Sequence, residues 1–413
     1  MNGLYMRKSE TNMRNTPKKN LKLLLVGVLL CFVGVLSAQK TQTYTDPEAQ
    51  RKAAKELFDM QHYGAAREAY MKLLADVPDL HDPVQEEAYY YAAVCACRLC
   101  HKDAGQLCRD FVEIYPESIY LGSLYWNQAN YRFSQSAYHL ALLSYEKVDE
   151  AALGAENRCE YLFKKGYCYF YESNYDAAKP LFAEVKDSDN PYSNKALFYY
   201  SHILYLERNY RSALAGFEKL NGIEGYSSIV PFYIAQIRYA MGDYEKVVAE
   251  SGLLLEKSTE KREPEINRIV AQSYYSLGRY AEAIPYMKAY FSKVEMATCE
   301  DYYCLGYCHY HEQQYDDAIR CLTKAICRNQ DSLNQQVYFT IGDCYLKTGR
   351  KEFAANTFYA AYELKKDPYL TEDALFTYAK LQYELSANPF SNAISALEKY
   401  MNEYPNAARR ADA

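Results

Sequence analysis

Glycine and proline are scarce in this 413-residue chain, at 17 and 13 residues, and no Pro-, Gly- or Ser-rich linker interrupts it. Collagen-like, low-complexity and linker-joined designs are thereby excluded. There is no Gly-rich phosphate loop, no HExxH and no nucleophile elbow, and the histidines are scattered. Cys308 and His309 are neighbours, but adjacent helical residues diverge by about 100° and do not form a nucleophile–base pair. A non-enzymatic chain without cofactor is expected. Basic stripes are missing as well: 47 Lys and Arg stand against 53 Asp and Glu, a net charge of −6, which opposes phosphate backbones. No nucleic-acid partner is expected.

Long apolar runs are limited to Leu23 to Leu36, which follows Arg14, Lys18, Lys19 and Lys22 and precedes Ser37 and Ala38. A basic region, a short apolar run and a small-residue site describe a secretory signal peptide, and the run is short for a bilayer span. Residues 1–38 are therefore expected to be a signal peptide cut after Ala38, and 39–46 a short linker. The alternative is an uncleaved segment that anchors the chain. Leu30 before Cys31 argues against lipidation. The junction Leu36-Ser37-Ala38-Gln39 resembles signal peptides of the Bacteroidetes, which implies a periplasm. Loss of 1–38 removes six Lys/Arg and one acid, taking the net charge from −6 to −11.

Tyrosine is abundant, at 46 residues, and it is periodic. Tyr63, Tyr138, Tyr175, Tyr210, Tyr244, Tyr280 and Tyr315 each lie three residues before a small or branched apolar residue, at intervals of 34 to 37 residues or a multiple. The segments read YGAAREAY, YHLALLSY, YDAAKPLF, YRSALAGF, YEKVVAES, YAEAIPYM and YDDAIRCL, each after an apolar helical stretch. Small residues pair across the repeat: Ala54/Ala66, Ala92/Ala104, Ala129/Ala141, Gly166/Ala178, Ala271/Ala283, Gly306/Ala318 and Gly342/Ala354. Such pairs let two helices cross closely while Tyr or Phe fills the adjacent hole. One repeat cannot bury its apolar face alone, so stability comes from stacking.

This pattern resembles the tetratricopeptide repeat over residues 47–405, as ten repeats with weaker copies centred on His101, Lys351 and Phe390. The resemblance, to secreted or periplasmic members of the Bacteroidetes, implies an all-α fold, a right-handed superhelical solenoid of about ten helix pairs. The sixth repeat departs from the pattern at Val247 and Ser251, and the tenth has extra residues around Ala387 to Pro389. Residues 406–413 read as the start of a truncated further repeat. That leaves the tenth exposed, so either a longer protein or end-to-end self-association through 391–413 is expected.

The resemblance further implies that the second, fifth, ninth and twelfth residues of each first helix line a concave groove. The fifth positions are Tyr89, Trp126, Phe163, Phe198, Phe232, Arg268, Tyr303, Phe339 and Phe376. The twelfth are Phe133, Phe170, Tyr205, Tyr239, Tyr275, Tyr310, Leu346 and Tyr383. Aromatic rings offer large contact area with few rotors to freeze, which suits capture of polypeptide. The competing reading is that the rings fill the gap between first helices. Arg268 either orients an acidic group of a bound segment or pairs with Glu265 or Glu300.

Cys168, Cys308 and Cys344 share one helical position, where free Cys packs as a small hydrophobe. Cys95, Cys97, Cys100 and Cys108 are dense but do not share a helix face, so no metal is expected. Cys100/Cys108 and the geometrically poorer Cys304/Cys308 are the candidate disulfides. The junctions Tyr115-Pro116 and Tyr404-Pro405 resemble those of periplasmic repeat proteins in outer-membrane assembly and the Tol-Pal system. The expected function is a protein-interaction scaffold of the cell envelope binding a protein or peptide partner; the alternative is a glycan- or substrate-capturing module of an uptake system.

Overall fold

A computed structural model describes residues 46–386 and 392–413. The expected signal peptide, almost all of the linker and the extra residues of the tenth repeat lie outside the described residues. Among the described residues there is no strand, and no helix is long and apolar enough to cross a membrane. The chain divides into two compact bodies, at Tyr192/Ser193.

The N-terminal body holds α1 (Pro47–Asp59), α2 (Tyr63–Asp76), α3 (Pro83–Arg98), α4 (Ala104–Ile114), α5 (Leu121–Ser134), α6 (Tyr138–Tyr145), α7 (Ala155–Tyr171) and α8 (Tyr175–Lys186). The C-terminal body opens with α9 (Ser193–Leu206), α10 (Tyr210–Leu220), α11 (Val230–Ala240), α12 (Tyr244–Ala249) and α13 (Ser251–Glu256). It continues with α14 (Glu263–Ser276), α15 (Tyr280–Phe291), α16 (Cys299–His311), α17 (Tyr315–Lys324), α18 (Asp331–Lys347), α19 (Lys351–Leu364), α20 (Pro368–Leu385) and α21 (Asn392–Glu403). Consecutive helices form hairpins, and each hairpin is one sequence repeat. In the sixth, the second helix breaks at Glu250, between the atypical Val247 and Ser251, into α12 and α13.

The first helices stop in a common way. A residue in the left-handed region sits two positions before the second helix at Gln61, Ser136, Ser173, Arg208 and Gln313, or Gly242, Gly278 and Gly349, and four before it at Cys100. The next amide then reaches back five residues, as in His62 N–H to Leu57 O, Asn174 N–H to Tyr169 O and Arg279 N–H to Tyr274 O, each 2.9 Å. This satisfies carbonyls that the helix end would otherwise leave bare. Helix starts are equally local. Asp46, Asp82 and Asp367 each cap a helix that opens with proline.

The close crossings expected from the small residues are present. All the paired alanines are fully buried. A Cβ on Gly306 would lie 2.6 Å from Leu322 Cγ, and one on Gly166 or Gly342 3.1 Å from the ring of Phe182 or Phe358. The ring four residues after the second alanine fills the hole beside it: Tyr70, Tyr145, Phe182, Phe217 and Phe358 are all core residues. Stacked hairpins are also tied one period apart, by Arg51 to Glu87 (2.7 Å), Arg67 to Asp103, and Arg350 to Asp316 (2.6 Å). These exposed or half-exposed pairs set register more than stability.

One expectation is corrected here, the disulfide pairing. Residues 408–411, expected as the start of a further repeat, form a 3-10 turn. The turn folds back on α20: Arg409 pairs with Asp373 at 2.5 Å and covers the Phe376 ring at 4.6 Å, so this segment shields the last hairpin. The disulfide joins Cys299 to Cys327, closing the eighth repeat onto itself, and neither expected pair forms. Cys100 is exposed in its turn, and it is Cys97 whose sulfur lies 3.5 Å from that of Cys108. Cys168 and Cys344 are buried, which pushes both thiols up to about 12. They are packing residues with no reactive thiolate near neutral pH.

Candidate functional site

The expected groove residues follow one packing rule. Six of the eight fifth-position rings lean on the core ring of their own second helix: Tyr89 on Phe111 (6.2 Å between centroids), Trp126 on Tyr145 (6.1 Å), Phe163 on Phe182 (5.9 Å), Phe198 on Phe217 (5.7 Å), Phe339 on Phe358 (5.3 Å) and Phe376 on Tyr400 (5.2 Å). Six of the seven twelfth-position rings meet the tyrosine that opens their second helix, five residues on. Phe133 meets Tyr138, Phe170 meets Tyr175, Tyr205 meets Tyr210, Tyr239 meets Tyr244, Tyr275 meets Tyr280 and Tyr310 meets Tyr315, at 5.4 to 6.3 Å. One side of every such ring is spent on its own hairpin. Most therefore end half-buried, presenting an edge or a face rather than a whole ring.

Three of the expected residues depart from that state. Phe163 and Phe198 are only 6% and 9% exposed, and both belong to the core. Phe163 is enclosed by Tyr167, Phe182 and Tyr192, and Phe198 by Phe217, Tyr226 and Tyr233. As ligand contacts they are corrected to packing residues. Tyr383 is the opposite case, 61% exposed. Phe232 lies half-buried beneath the Arg262 guanidinium.

Arg268 is engaged internally. Its guanidinium donates to Glu265 through Nε (2.9 Å) and Nη2 (2.6 Å) and lies 3.8 Å from Asp301. The Glu265 contacts, with Asp301 behind them, hold it protonated well above its ordinary value. Asp301 is fully buried and satisfied: it accepts from Tyr290 Oη, Thr298 N and Thr298 Oγ1, each at 3.0 Å. Glu300 accepts from Gln330 instead. The cation thus ties α14 to the cap of α16.

Within the C-terminal body, the rings converge at one place. Tyr303 and Tyr310 of α16, Phe339 of α18 and Tyr369 of α20 border an open cleft of about 450 Å³, with Tyr307, Gln336 and Asp343 on its walls. Tyr310 Oη donates to Asp343 at 2.7 Å. Burial, then that bond, raises the Tyr310 phenol beyond any physiological titration. Tyr369 is 85% exposed, a large ring with little packing of its own. In the N-terminal body, Trp126 borders a more polar cleft of about 360 Å³ with Asn127, Asn130, Glu160 and Lys164. Lys164 Nζ donates to Asn130 at 2.8 Å, one repeat away. Tyr89 stays apart, its hydroxyl 3.4 Å from Asp110 and its phenol pushed up to about 12 by burial.

Asn130, Glu160, Tyr307, Gln336 and Asp343 occupy the second and ninth positions of their helices. Four of the five are polar, so ring periodicity alone does not mark them. Their signal was the register itself. Among the described residues no group of three or more His, Cys, Asp or Glu is arranged to hold a metal. His309 is buried against Gln314, with 2.6 Å between Nδ1 and Oε1, and lies inside the packing rather than in a cleft.

Family models described as tetratricopeptide repeat match residues 299–326, 335–368 and 373–407, each beginning within a first helix of the C-terminal body. The chain carries tetratricopeptide repeats. That architecture is a protein-interaction scaffold. No match was found among curated proteins. Among solved structures, the chain is similar to YrrB, described as a tetratricopeptide repeat protein with an unusual peptide-binding site, at 18% identity over 48% of this chain and 96% of that one, with a TM-score of 0.39. A tetratricopeptide repeat protein from Parabacteroides merdae matches at 16% identity over 62% and 98%, TM-score 0.38. The tetratricopeptide repeat domain of P58(IPK) matches at 14% over 83% and 100%, TM-score 0.31. At these scores none of the three bears on what this chain binds.

Proposed function

We propose that this tetratricopeptide repeat chain is a non-enzymatic scaffold that holds an extended polypeptide segment against its first-helix face, and that it acts in the cell envelope after export by residues 1–38. The observation that carries the reading is the cleft bordered by Tyr303, Tyr310, Phe339 and Tyr369. Phe339 and Tyr310 are anchored on one side by their own hairpin, through Phe358 and Tyr315, and are already ordered, so binding loses little rotamer entropy there. The phenol hydroxyls and the Gln336 and Asp343 side chains add polar partners for a peptide backbone. The envelope assignment rests on the basic, apolar and small-residue pattern of the leader.

Immobilised protein starting at Gln39 should retain a specific protein from envelope extract, and a Tyr303→Ser, Tyr369→Ser variant with unchanged circular dichroism should not. Equal retention by both overturns the assignment of the face. Binding of oligosaccharides without any protein partner would favour glycan capture instead. Mass spectrometry of native protein should find Gln39 first; a chain that keeps Leu23 to Leu36 in membrane fractions contradicts release into the periplasm.

A further inference from the structure

The opposite, second-helix face carries a feature that the sequence pattern repeats in both bodies. Between α4 and α6, over α5, lies a cleft of about 360 Å³; between α15 and α17, over α16, lies one of about 800 Å³. Their residues correspond by register. The Lys147 ammonium stands over the Tyr125 ring at 5.0 Å, and that of Lys324 over Tyr302 at 5.5 Å. Both lysines lie six residues after the small residue of their second helix, Ala141 and Ala318, and both tyrosines are fourth-position residues. Across each cleft, five residues after Ala104 and Ala283, stand Arg109 and Lys288. The floors are apolar, with Val112 and Leu143 in the first and Phe291 and Ile319 in the second.

The charge of these clefts runs against that of the chain. In a protein of net charge −6, Lys147, Lys288 and Lys324 have no carboxylate within ion-pair distance among the described residues. Arg132, in the first cleft, bonds to Leu140 O and Ser144 Oγ rather than to an acid. The acids present are Glu113 in the first cleft and Asp317, which holds Arg320 beside the second. Unpaired cations over a half-buried apolar floor complement a ligand that is itself apolar and anionic.

We propose that each cleft is a docking site for an acidic polypeptide segment in which Leu or Phe alternates with Asp or Glu. Apolar side chains would fill the floor, and carboxylates would meet Arg109 and Lys147, or Lys288 and Lys324. The scaffold then engages two chemically different segments, one on each face.

Fluorescence anisotropy of the full chain with a short labelled peptide alternating Leu and Glu tests this. Binding should weaken about tenfold for the Gln-for-Glu counterpart, and by as much or more in a Lys147→Glu, Lys288→Glu, Lys324→Glu variant. All three lysines are exposed, so the fold should persist, as circular dichroism would report. Equal affinity for both peptides, or wild-type affinity in the charge-reversed variant, overturns the proposal. So does binding only to vesicles containing phosphatidylglycerol, which would make the clefts a lipid surface. The Tyr303→Ser, Tyr369→Ser variant should bind the acidic peptide unchanged. Loss there would move this peptide to the first-helix face, sinking the second site while leaving the first intact.

Discussion

Gly306→Ala adds one methyl group where the two helices of the eighth repeat cross. The new Cβ would lie 2.6 Å from Leu322 Cγ, 2.8 Å from its Cδ2 and 3.1 Å from its backbone nitrogen. Leu322 is fully buried, and the contact with its backbone nitrogen is relieved only if α16 and α17 move apart. Overpacking of this kind costs about 1 to 3 kcal/mol, and contacts this short belong at the upper end. Replacing a helical glycine returns about 1 kcal/mol. The net expectation is a loss of about 1 to 2 kcal/mol. Gly64→Ala is the matched control: nothing lies within 4 Å of its added Cβ, so only the gain remains. Urea unfolding followed by far-UV circular dichroism reads both, with slopes compared because repeat arrays need not unfold in two states. If both substitutions stabilise, the close crossing is not where the repeat register puts it.

Phe198→Ala should cost about 3 to 5 kcal/mol while Tyr383→Ala leaves the melting temperature almost unchanged, since one ring is core and the other is solvated. Reducing the Cys299–Cys327 disulfide, or replacing Cys299 by Ser, releases a loop with a sequence separation of 28 and should lower stability by about 3 to 4 kcal/mol on chain-entropy grounds; thermal melts with and without reductant measure it. His202 and His309 are each pulled below the ordinary histidine value by burial. The unfolded chain then binds protons first, so stability should be flat above about pH 6.5 and fall as pH drops toward each folded value, by no more than about 1.4 kcal/mol per unit per histidine. His309→Gln should shrink that loss, and an unchanged pH profile would contradict it.

The fold was legible because the period is written in side chains whose packing leaves little choice. A buried small residue at the crossing recurs in most repeats, and in the first, third, fourth, fifth and ninth a ring follows the second-helix alanine by four residues, which reads as a helix crossing. The left-handed turn residue was harder to see, because Gln61, Ser173 and Arg208 carry no glycine to mark it. The site was only partly legible. Sequence position fixed which rings sit on the first helices, but exposure depends on what the second helix and the following loop place beside them. Phe163 and Phe198 are enclosed by rings that include Tyr192 and Tyr226, which lie in loops. Tyr303, half-buried, has Leu322 rather than a ring as its counterpart on α17. The disulfide was missed for a related reason: Cys327 lies in a loop after α17, whose path no helical periodicity describes.

The most direct test of the account is photo-crosslinking from single sites in the full chain, expressed in its own cell envelope. A photoreactive residue at Tyr369, on the rim of the Tyr303–Tyr310–Phe339 cleft, should trap a polypeptide partner. The same residue at Met60, comparably exposed at a hairpin turn, should not. Equal trapping at both positions, or none at Tyr369 while other surfaces trap the partner, would contradict a first-helix binding face.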